Sequence, residues 1–330
     1  MFQELTDEQR RIFIDTTQVW DALEQARRGS PGTRVSMWWR KTKGREYLIR
    51  RVNKSEKSLG PRNAETEAAM DGFKRSRQRY REMLDAIDGQ ARFAKAARLD
   101  RVPLPVAELC RLLADEDRWR LVGTQCLYAY EARAGVRITS DAIATQDADV
   151  LWDSRGTPDA TLVSLAREPG GLLGLLRQYD DSFEIIDGYP YRVANSRGFM
   201  VDLIRPFDGP MLADTERRAS KNSDDMLAQP IEGLEWLASS PLMEEVVIDS
   251  KGVPVRMVVP DPRAFAVHKL WLSTRDDREP TKRQRDRNQA LLVAKLLREY
   301  LVTLPLDPAD LKQFPADVCE ASLLELQAAV

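Results

Sequence analysis

The sequence predicts an α/β (α+β) fold, with a β-sheet core placed along the chain between two mainly helical regions. Short apolar runs bounded by Gly, Asn, Asp or Pro recur between residues 117 and 260, as in strands joined by turns. Apolar residues at helical spacing before residue 116, and helix-start signals after residue 260, predict helices. We therefore expect an N-terminal module over 1–116, a sheet core over 117–260 and a helical region over 261–330.

Composition excludes several classes of protein. The 330 residues carry a net charge of −2, and no stretch approaches the ~20 apolar residues that a membrane span needs. The polar, acidic first residues do not resemble a signal peptide. Three scattered cysteines and one histidine exclude a Cys/His zinc site and argue against a disulfide framework. The sequence therefore predicts a cytoplasmic protein without a membrane partner.

The N-terminal module is predicted to contain two helices and a β-hairpin. Thr6 and Gln9 have the spacing of a capping box, which opens a helix expected to end near residue 28. A second, charged helix with one apolar face is expected over about 63–99. Between the two helices, residues 34–51 predict two strands joined by a turn over 41–45.

The predicted hairpin is strongly basic. Residues 34–62 contain ten Lys or Arg and two acidic residues, in a chain whose net charge is near zero. Tryptophan and tyrosine are interleaved with the cations, which suits nucleic acid, because cations neutralise phosphate and rings stack on bases. The residues expected to contact it are Arg40, Lys41, Lys43 and Arg45. Alternatively, this hairpin is an ordinary surface element whose rings pack inward and whose charges are solvated.

A strand–turn–helix–strand run over 119–153 contains the candidate chemistry. Asp147 and Asp149 are two residues apart on the second strand and therefore share one of its faces. Neighbouring carboxylates repel each other, and a divalent cation such as Mg²⁺ relieves this by taking their oxygens as ligands. Upstream, Gly123 and Thr124 lie where a strand turns into a helix, whose free N–H groups can hold phosphate. Alone, the acidic pair is equally compatible with a surface strand.

Asp202 supplies a third carboxylate, within the apolar run 199–204. A buried carboxylate without a partner costs several kcal/mol or changes its pKa, so Asp202 needs a partner, and a metal ion is one candidate. A turn that can hold phosphate, together with paired carboxylates, gives the outline of a nucleotidyl-transfer site.

The whole pattern resembles the nucleotidyltransferase superfamily that includes polymerase β, and this resemblance implies a mixed β-sheet core. After it come a helix with Lys269, then Arg275, then a helix with Lys282 and Asp286, which is similar to abortive-infection toxins of the same fold. The resemblance extends to bacterial nucleotidyltransferase-like proteins and covers roughly residues 30–305. Thr124 departs from the family, which usually has Ser or Gly at this position.

The resemblance implies a role for each candidate residue. Three carboxylates would carry catalysis and hold Mg²⁺ or Mn²⁺: Asp147, Asp149 and Asp202. Four residues would bind the phosphates of the NTP: Gly123, Thr124, Lys269 and Lys282. The run 282–287 is also compatible with a solvated helix face. His268 is expected to pack or cap rather than to act as a catalytic base.

We therefore expect a metal-dependent enzyme that moves a nucleoside monophosphate from an NTP to a hydroxyl of an RNA end, a protein or a small molecule. A toxin-like role, with a cognate antitoxin as partner, is a further expectation from the resemblance. The alternative is a nucleic-acid-binding or regulatory protein in which the same fold no longer turns over.

Overall fold

The computed structural model describes residues 2–29, 35–52, 54–139, 143, 145–155, 170–207, 209 and 216–329. The chain divides into two compact units. Unit 1 comprises residues 1–5, 101–249 and 255–330, and unit 2 comprises residues 6–100 and 250–254. Helices and strands are mixed along the chain, which confirms the predicted α+β class. The region boundaries expected at residues 116 and 260 stay a prediction.

The described strands, in chain order, are β1 (Phe2–Glu4), β2 (Val35–Thr42), β3 (Arg45–Val52), β4 (Ser55–Pro61), β5 (Trp119–Val122), β6 (Val136–Ile138), β7 (Asp147–Trp152), β8 (Glu184–Ile186), β9 (Tyr189–Ala194), β10 (Met200–Pro206), β11 (Gln229–Ile231), β12 (Leu242–Ile248) and β13 (Pro254–Pro260). The described α-helices are α1 (Asp7–Gly29), α2 (Ala64–Ala96), α3 (Leu104–Leu112), α4 (Cys126–Ala134), α5 (Gly171–Tyr179), α6 (Leu234–Ser239), α7 (Pro262–Thr274), α8 (Pro280–Glu299) and α9 (Ala316–Ala328). The strands β1, β6 and β11 give no periodic signal in the sequence, because three residues are too few.

Unit 1 is built on a mixed sheet in the order β5-β7-β10-β9-β8, with β11 paired to β10. β7 and β10 run parallel, whereas β5 is antiparallel to β7 and β9 is antiparallel to β10. Ala148 and Val150 of β7, and Val201 and Leu203 of β10, are completely buried. These two central strands therefore lie in the hydrophobic core of unit 1. The mixed sheet that the sequence predicts is confirmed.

Helices α4 and α7 of unit 1 are fixed against each other by aromatic contacts. The Tyr130 ring meets the Phe265 ring edge-on with centroids 5.4 Å apart, and its hydroxyl donates a 2.8 Å hydrogen bond to the carbonyl of Pro260. α7 begins as predicted, because the Asp261 carboxylate accepts the backbone N–H of Arg263 at 2.8 Å. In the described residues, no helix is both long and apolar enough to cross a membrane.

Unit 2 combines a three-stranded antiparallel sheet, β2-β3-β4, with the long helices α1 and α2. The predicted capping box is confirmed, since Gln9 N–H donates to the Thr6 hydroxyl at 3.2 Å and Thr6 N–H donates to the Gln9 side chain at 3.0 Å. A small core packs α2 against the sheet through Val35, Leu48, Met70 and Phe73. Each helix thus turns its apolar face to the unit and its charged face to solvent.

The basic hairpin is larger than predicted. β2 and β3 extend through the residues expected to form the turn, and only Lys43 and Gly44 lie between them. Both have positive φ, 48° and 78°, which is the conformation that a tight two-residue hairpin turn requires. β4 then adds a third strand. Lys41 and Arg45, expected in the turn, therefore lie in strands.

Candidate active site

The three predicted carboxylates lie on adjacent strands and share one face of the unit 1 sheet. In the parallel pair of β7 and β10, Asp149 is the register partner of Asp202, and Asp147 is the partner of Met200. Register partners in neighbouring strands point to the same side of a sheet, as do residues two apart on one strand. Asp147, Asp149 and Asp202 therefore belong to one face.

Asp149 is the electrostatic centre of this face. The pKa of its carboxyl is raised from 3.8 to about 7, mainly by burial and then by the neighbouring charges of Asp147 and Asp202. The positive charges of Lys269 and Arg278 act in the opposite direction and lower it. Two like charges thus act on this carboxylate besides its burial, and an additional cation bound here would reduce their repulsion.

Asp202 has a protein partner, which the sequence did not indicate. The Arg192 guanidinium donates two hydrogen bonds of 2.6 Å, one to each oxygen of this carboxylate. Asp202 is buried, and hydrogen bonding to it raises the pKa of Arg192 above its ordinary value. Arg192 is the register partner of Asp202 in the antiparallel pair of β9 and β10, so both side chains leave the sheet on the same side. The expected need for a partner is therefore met by an arginine.

Gly123 lies directly against the carboxylate of Asp149. It begins a short 3₁₀ turn over Gly123–Gln125, between β5 and α4, and its φ is +69°. A Cβ atom at this position would lie 2.3 Å from Asp149 Oδ2. Only glycine fits, both because of the positive φ and because of the carboxylate.

Thr124 is buried, and its hydroxyl is used inside the protein. Thr124 Oγ1 accepts a 3.0 Å hydrogen bond from Gln289 Nε2 of α8. This hydrogen bond connects the turn to helix α8. The next residue, Gln125, donates a 2.7 Å hydrogen bond from Nε2 to the Asp147 carbonyl, so the turn and β7 are also joined directly.

Lys269 belongs to a buried charge cluster. Its Nζ lies 2.6 Å from Asp286 Oδ1, and the other oxygen of Asp286 accepts a 2.9 Å hydrogen bond from Arg278. Lys269 and Asp286 are both buried, so the pair is shielded from water. Arg278, which the sequence analysis did not select, precedes α8, and no local pattern distinguishes it from neighbouring surface arginines. Both cations influence Asp149, which places their charges within electrostatic reach of the carboxylates.

Lys282 differs from Lys269 in its surroundings. Its side chain is 59% exposed, and its ammonium lies 3.8 Å from Glu279, one helical turn earlier. Within the described residues no hydrogen bond or ion pair joins it to the three carboxylates. Lys282 therefore lies on a solvated helix face, which is the alternative that the sequence also allowed.

A sequence profile of a family described as nucleotidyltransferase matches residues 105–314, which is more than half of the chain. The chain belongs to this nucleotidyltransferase family. The match spans all three carboxylates, the Gly123 turn and Lys269, and it supports a nucleotidyltransferase enzyme, as predicted. No curated protein and no solved structure gives a significant match.

Two of the carboxylates of this nucleotidyltransferase have the chemistry of ligands for a divalent cation. In the part of the chain that the structure describes, no three His, Cys, Asp or Glu side chains form a preformed metal cage. Mg²⁺ needs none, because it is usually held by one or two carboxylates together with substrate phosphates and water. Asp147 and Asp149 provide two such carboxylates. Burial and then the charges of Asp147 and Asp202 raise the pKa of Asp149, and a bound cation would relieve the repulsion between these charges.

His268 is unsuited to proton transfer in the nucleotidyltransferase. It is buried among the rings of Trp236 and Trp271, and burial lowers the pKa of its imidazole to about 3. At neutral pH the ring is therefore uncharged and has little tendency to accept a proton. This agrees with the expectation that it packs rather than reacts.

Proposed function

We propose that this nucleotidyltransferase moves a nucleoside monophosphate from an NTP to an acceptor hydroxyl and depends on Mg²⁺ or Mn²⁺. The observation that carries the proposal is the meeting of Asp147, Asp149 and Asp202 on one sheet face, against the Gly123 turn. A surface pair of acids has neither a buried third carboxylate nor a glycine pressed against it. This geometry favours chemistry over the alternative of a silent binding module.

In the proposed reaction, Asp147 and Asp149 would hold the cation, and the Gly123 turn would orient the triphosphate beside them. A cation bound there would supply neutralisation of the charge that develops on the phosphate oxygens. A bond forms between the acceptor oxygen and the α-phosphorus. The bond between the α-phosphorus and the oxygen that bridges the α- and β-phosphates breaks, and pyrophosphate leaves. Asp202 takes the proton of the acceptor hydroxyl, since each carboxylate oxygen keeps a second lone pair while it accepts from Arg192.

Lys269 and Arg278 supply positive charge for the phosphates. Lys269 contributes one of its three N–H donors to Asp286 and keeps two for a ligand. Its burial fixes the ammonium in place, so little side-chain entropy is lost when phosphate binds. Lys282, being exposed, contributes at most a distant charge.

The acceptor is proposed to be RNA, bound through the basic hairpin of unit 2. Arg40 donates a 2.6 Å hydrogen bond to Glu56, whereas Lys41, Lys43 and Arg45 have no ion pair within the described residues. Free cations at the end of a hairpin suit a phosphate backbone. A toxin-like role with a cognate antitoxin follows from this proposal only if the modified RNA is thereby inactivated.

The test is a transfer assay with the full chain. Each α-labelled NTP is incubated with Mg²⁺ or Mn²⁺ and with total RNA or total protein, and Asp147→Asn and Asp149→Asn serve as inactive controls. Label should enter RNA with the wild type alone, and it should disappear when the metal is chelated. Label that enters protein alone would replace the RNA acceptor by a protein acceptor. Absence of transfer to any acceptor, with tight RNA binding, would favour the binding module instead.

A further inference from the structure

Helix α2 carries a basic segment that the hairpin does not include. Between Asp71 and Glu82 there is no acidic residue, and five of the eight residues over 74–81 are Lys or Arg. Together, residues 35–81 contain 14 Lys or Arg against 5 Asp or Glu. The chain as a whole has a net charge of −2, so the positive charge is concentrated in this part of unit 2.

The basic segment forms one wall of a groove between α1 and α2. The groove has a volume of about 980 Å³, and Lys74, Arg75 and Arg79 line it together with Ala26 of α1. Arg75 and Arg79 are four residues apart and therefore lie one above the other on the helix surface. The groove at the joint of the two helices therefore places three cations along one wall.

The cations of the groove are available to a ligand. Within the described residues, no hydrogen bond or ion pair engages Lys74, Arg75 or Arg79. The acid in the lining, Glu82, accepts a 3.0 Å hydrogen bond from Gln78 Nε2 and is thereby turned to a neutral neighbour on its own helix. Three cations against one carboxylate leave the lining with a net positive charge, and this arrangement attracts an anion.

We propose that the α1–α2 groove binds the phosphate backbone of a single-stranded polynucleotide. The proposal deepens the proposed function, on which it rests, by naming the class of acceptor and a second contact surface for it. A small anion could be bound by the groove alone, without the rest of the unit. The sheet of the same unit carries further positive charge, which suits a long polyanion.

The sheet of unit 2 adds what a nucleic acid strand needs besides charge. Trp38 and Arg40 lie two apart on β2, and Arg40 is the register partner of Tyr47, so these three side chains share one face. Arg40 and Arg51 place their guanidinium groups 5.6 and 5.5 Å from the Trp38 ring centroid. Aromatic rings flanked by cations bind bases by stacking while the cations contact phosphate. An acidic peptide would be attracted by the positive charge, but it has no bases to stack on the aromatic rings.

The experiment measures binding of a fluorescein-labelled 20-nucleotide single-stranded RNA to the full chain, without NTP or divalent metal, over a range of KCl concentrations. The groove variant is Lys74→Gln with Arg75→Gln and Arg79→Gln. The matched control, Arg11→Gln with Arg92→Gln and Lys95→Gln, removes the same charge from exposed positions on the same two helices. Glutamine retains the helix propensity and the approximate size of the side chain.

The groove variant should lose about two units from the slope of log affinity against log salt, at ~0.7 per single-strand phosphate contact. Where the two binding lines converge near 1 M salt, this slope change corresponds to about 40-fold weaker binding at 0.15 M. The control should keep the slope of the wild type. Equal losses in both variants, no RNA binding by the wild type, or equal competition by polyglutamate would each overturn the proposal.

Binding and chemistry fail separately in this design. If the wild type transfers nucleotide and the groove variant keeps the wild-type slope, the groove proposal is wrong and the proposed function stands. If RNA binds with the expected slope but neither wild type nor control transfers nucleotide, the proposed function is wrong and the groove stands.

Discussion

Asp149→Asn should make the protein more stable and, at the same time, inactive. The substitution keeps the shape of the side chain and removes the negative charge that burial and two neighbouring carboxylates oppose. A residue that is kept at the expense of stability is expected where function requires it. The gain should depend on pH, because wild-type Asp149 carries its charge only in part of the range.

The magnitude follows from the pKa. In the folded protein Asp149 keeps its proton until about pH 7, whereas its ordinary value is 3.8. Since the folded pKa is the higher one, the stability that Asp149 contributes is complete below pH 4 and is lost as the pH rises through 7. Between pH 5 and pH 8.5 the loss corresponds to about two tenfold steps, or about 3 kcal/mol. Local relaxation reduces this figure, and we expect about 2 kcal/mol.

The assay is urea denaturation of the wild type and Asp149→Asn at pH 5 and pH 8.5. The variant should gain about 2 kcal/mol relative to the wild type on going from the lower to the higher pH. Asp181→Asn, at an exposed position of the same unit, should show the same difference from the wild type at both values. An Asp149→Asn difference that does not change with pH would refute the reasoning, because it would mean that the folded and unfolded chains titrate alike at this residue.

Three further outcomes are expected. Gly123→Ala should lower the free energy of unfolding by more than about 3 kcal/mol and abolish transfer. Gly135→Ala, also at positive φ but with open space around it, should lower it by about 1 kcal/mol. Equal losses of stability in the two variants would contradict the contact with the carboxylate. Arg192→Gln should lower the free energy of unfolding by about 2–3 kcal/mol, since it leaves a buried carboxylate without its partner; an unchanged urea midpoint would contradict the ion pair. Lys269→Gln should weaken NTP binding in calorimetric titration at least tenfold while Lys282→Gln changes it less than twofold, and a reversed order would exchange the roles given to the two lysines.

Much of the candidate site could be predicted, because its residues form recognisable patterns within short stretches of the sequence. Two acids with one residue between them on an apolar strand share a face whatever the strand pairs with. Gly123 stands at a strand-to-helix junction, which is a local signal too. What the sequence could not supply is the pairing of β7 with β10, which sets Asp149 beside Asp202 across more than fifty residues of chain.

The partners of the predicted residues could not be found in this way. Arg192 is selected by the antiparallel register of β9 and β10, and Arg278 by the position of the loop before α8. Each is one arginine among many in a highly charged chain, and only the fold distinguishes it. Thr124 illustrates the same limit, since its hydroxyl is committed to Gln289, 165 residues further along the chain.

The division of the chain has a consequence for how the protein can be shortened. Unit 2 is interposed after β1, so trimming the chain from its first residue towards residue 100 would remove the strand that pairs with β6. The two junction residues nevertheless lie on the same part of unit 1: Leu5 N–H donates to the Gly135 carbonyl and the Arg101 guanidinium to the Ile138 carbonyl. An internal excision that links Leu5 to Arg101 through a short Gly/Ser linker, together with a tight turn in place of residues 250–254, would yield unit 1 with its edge strand retained.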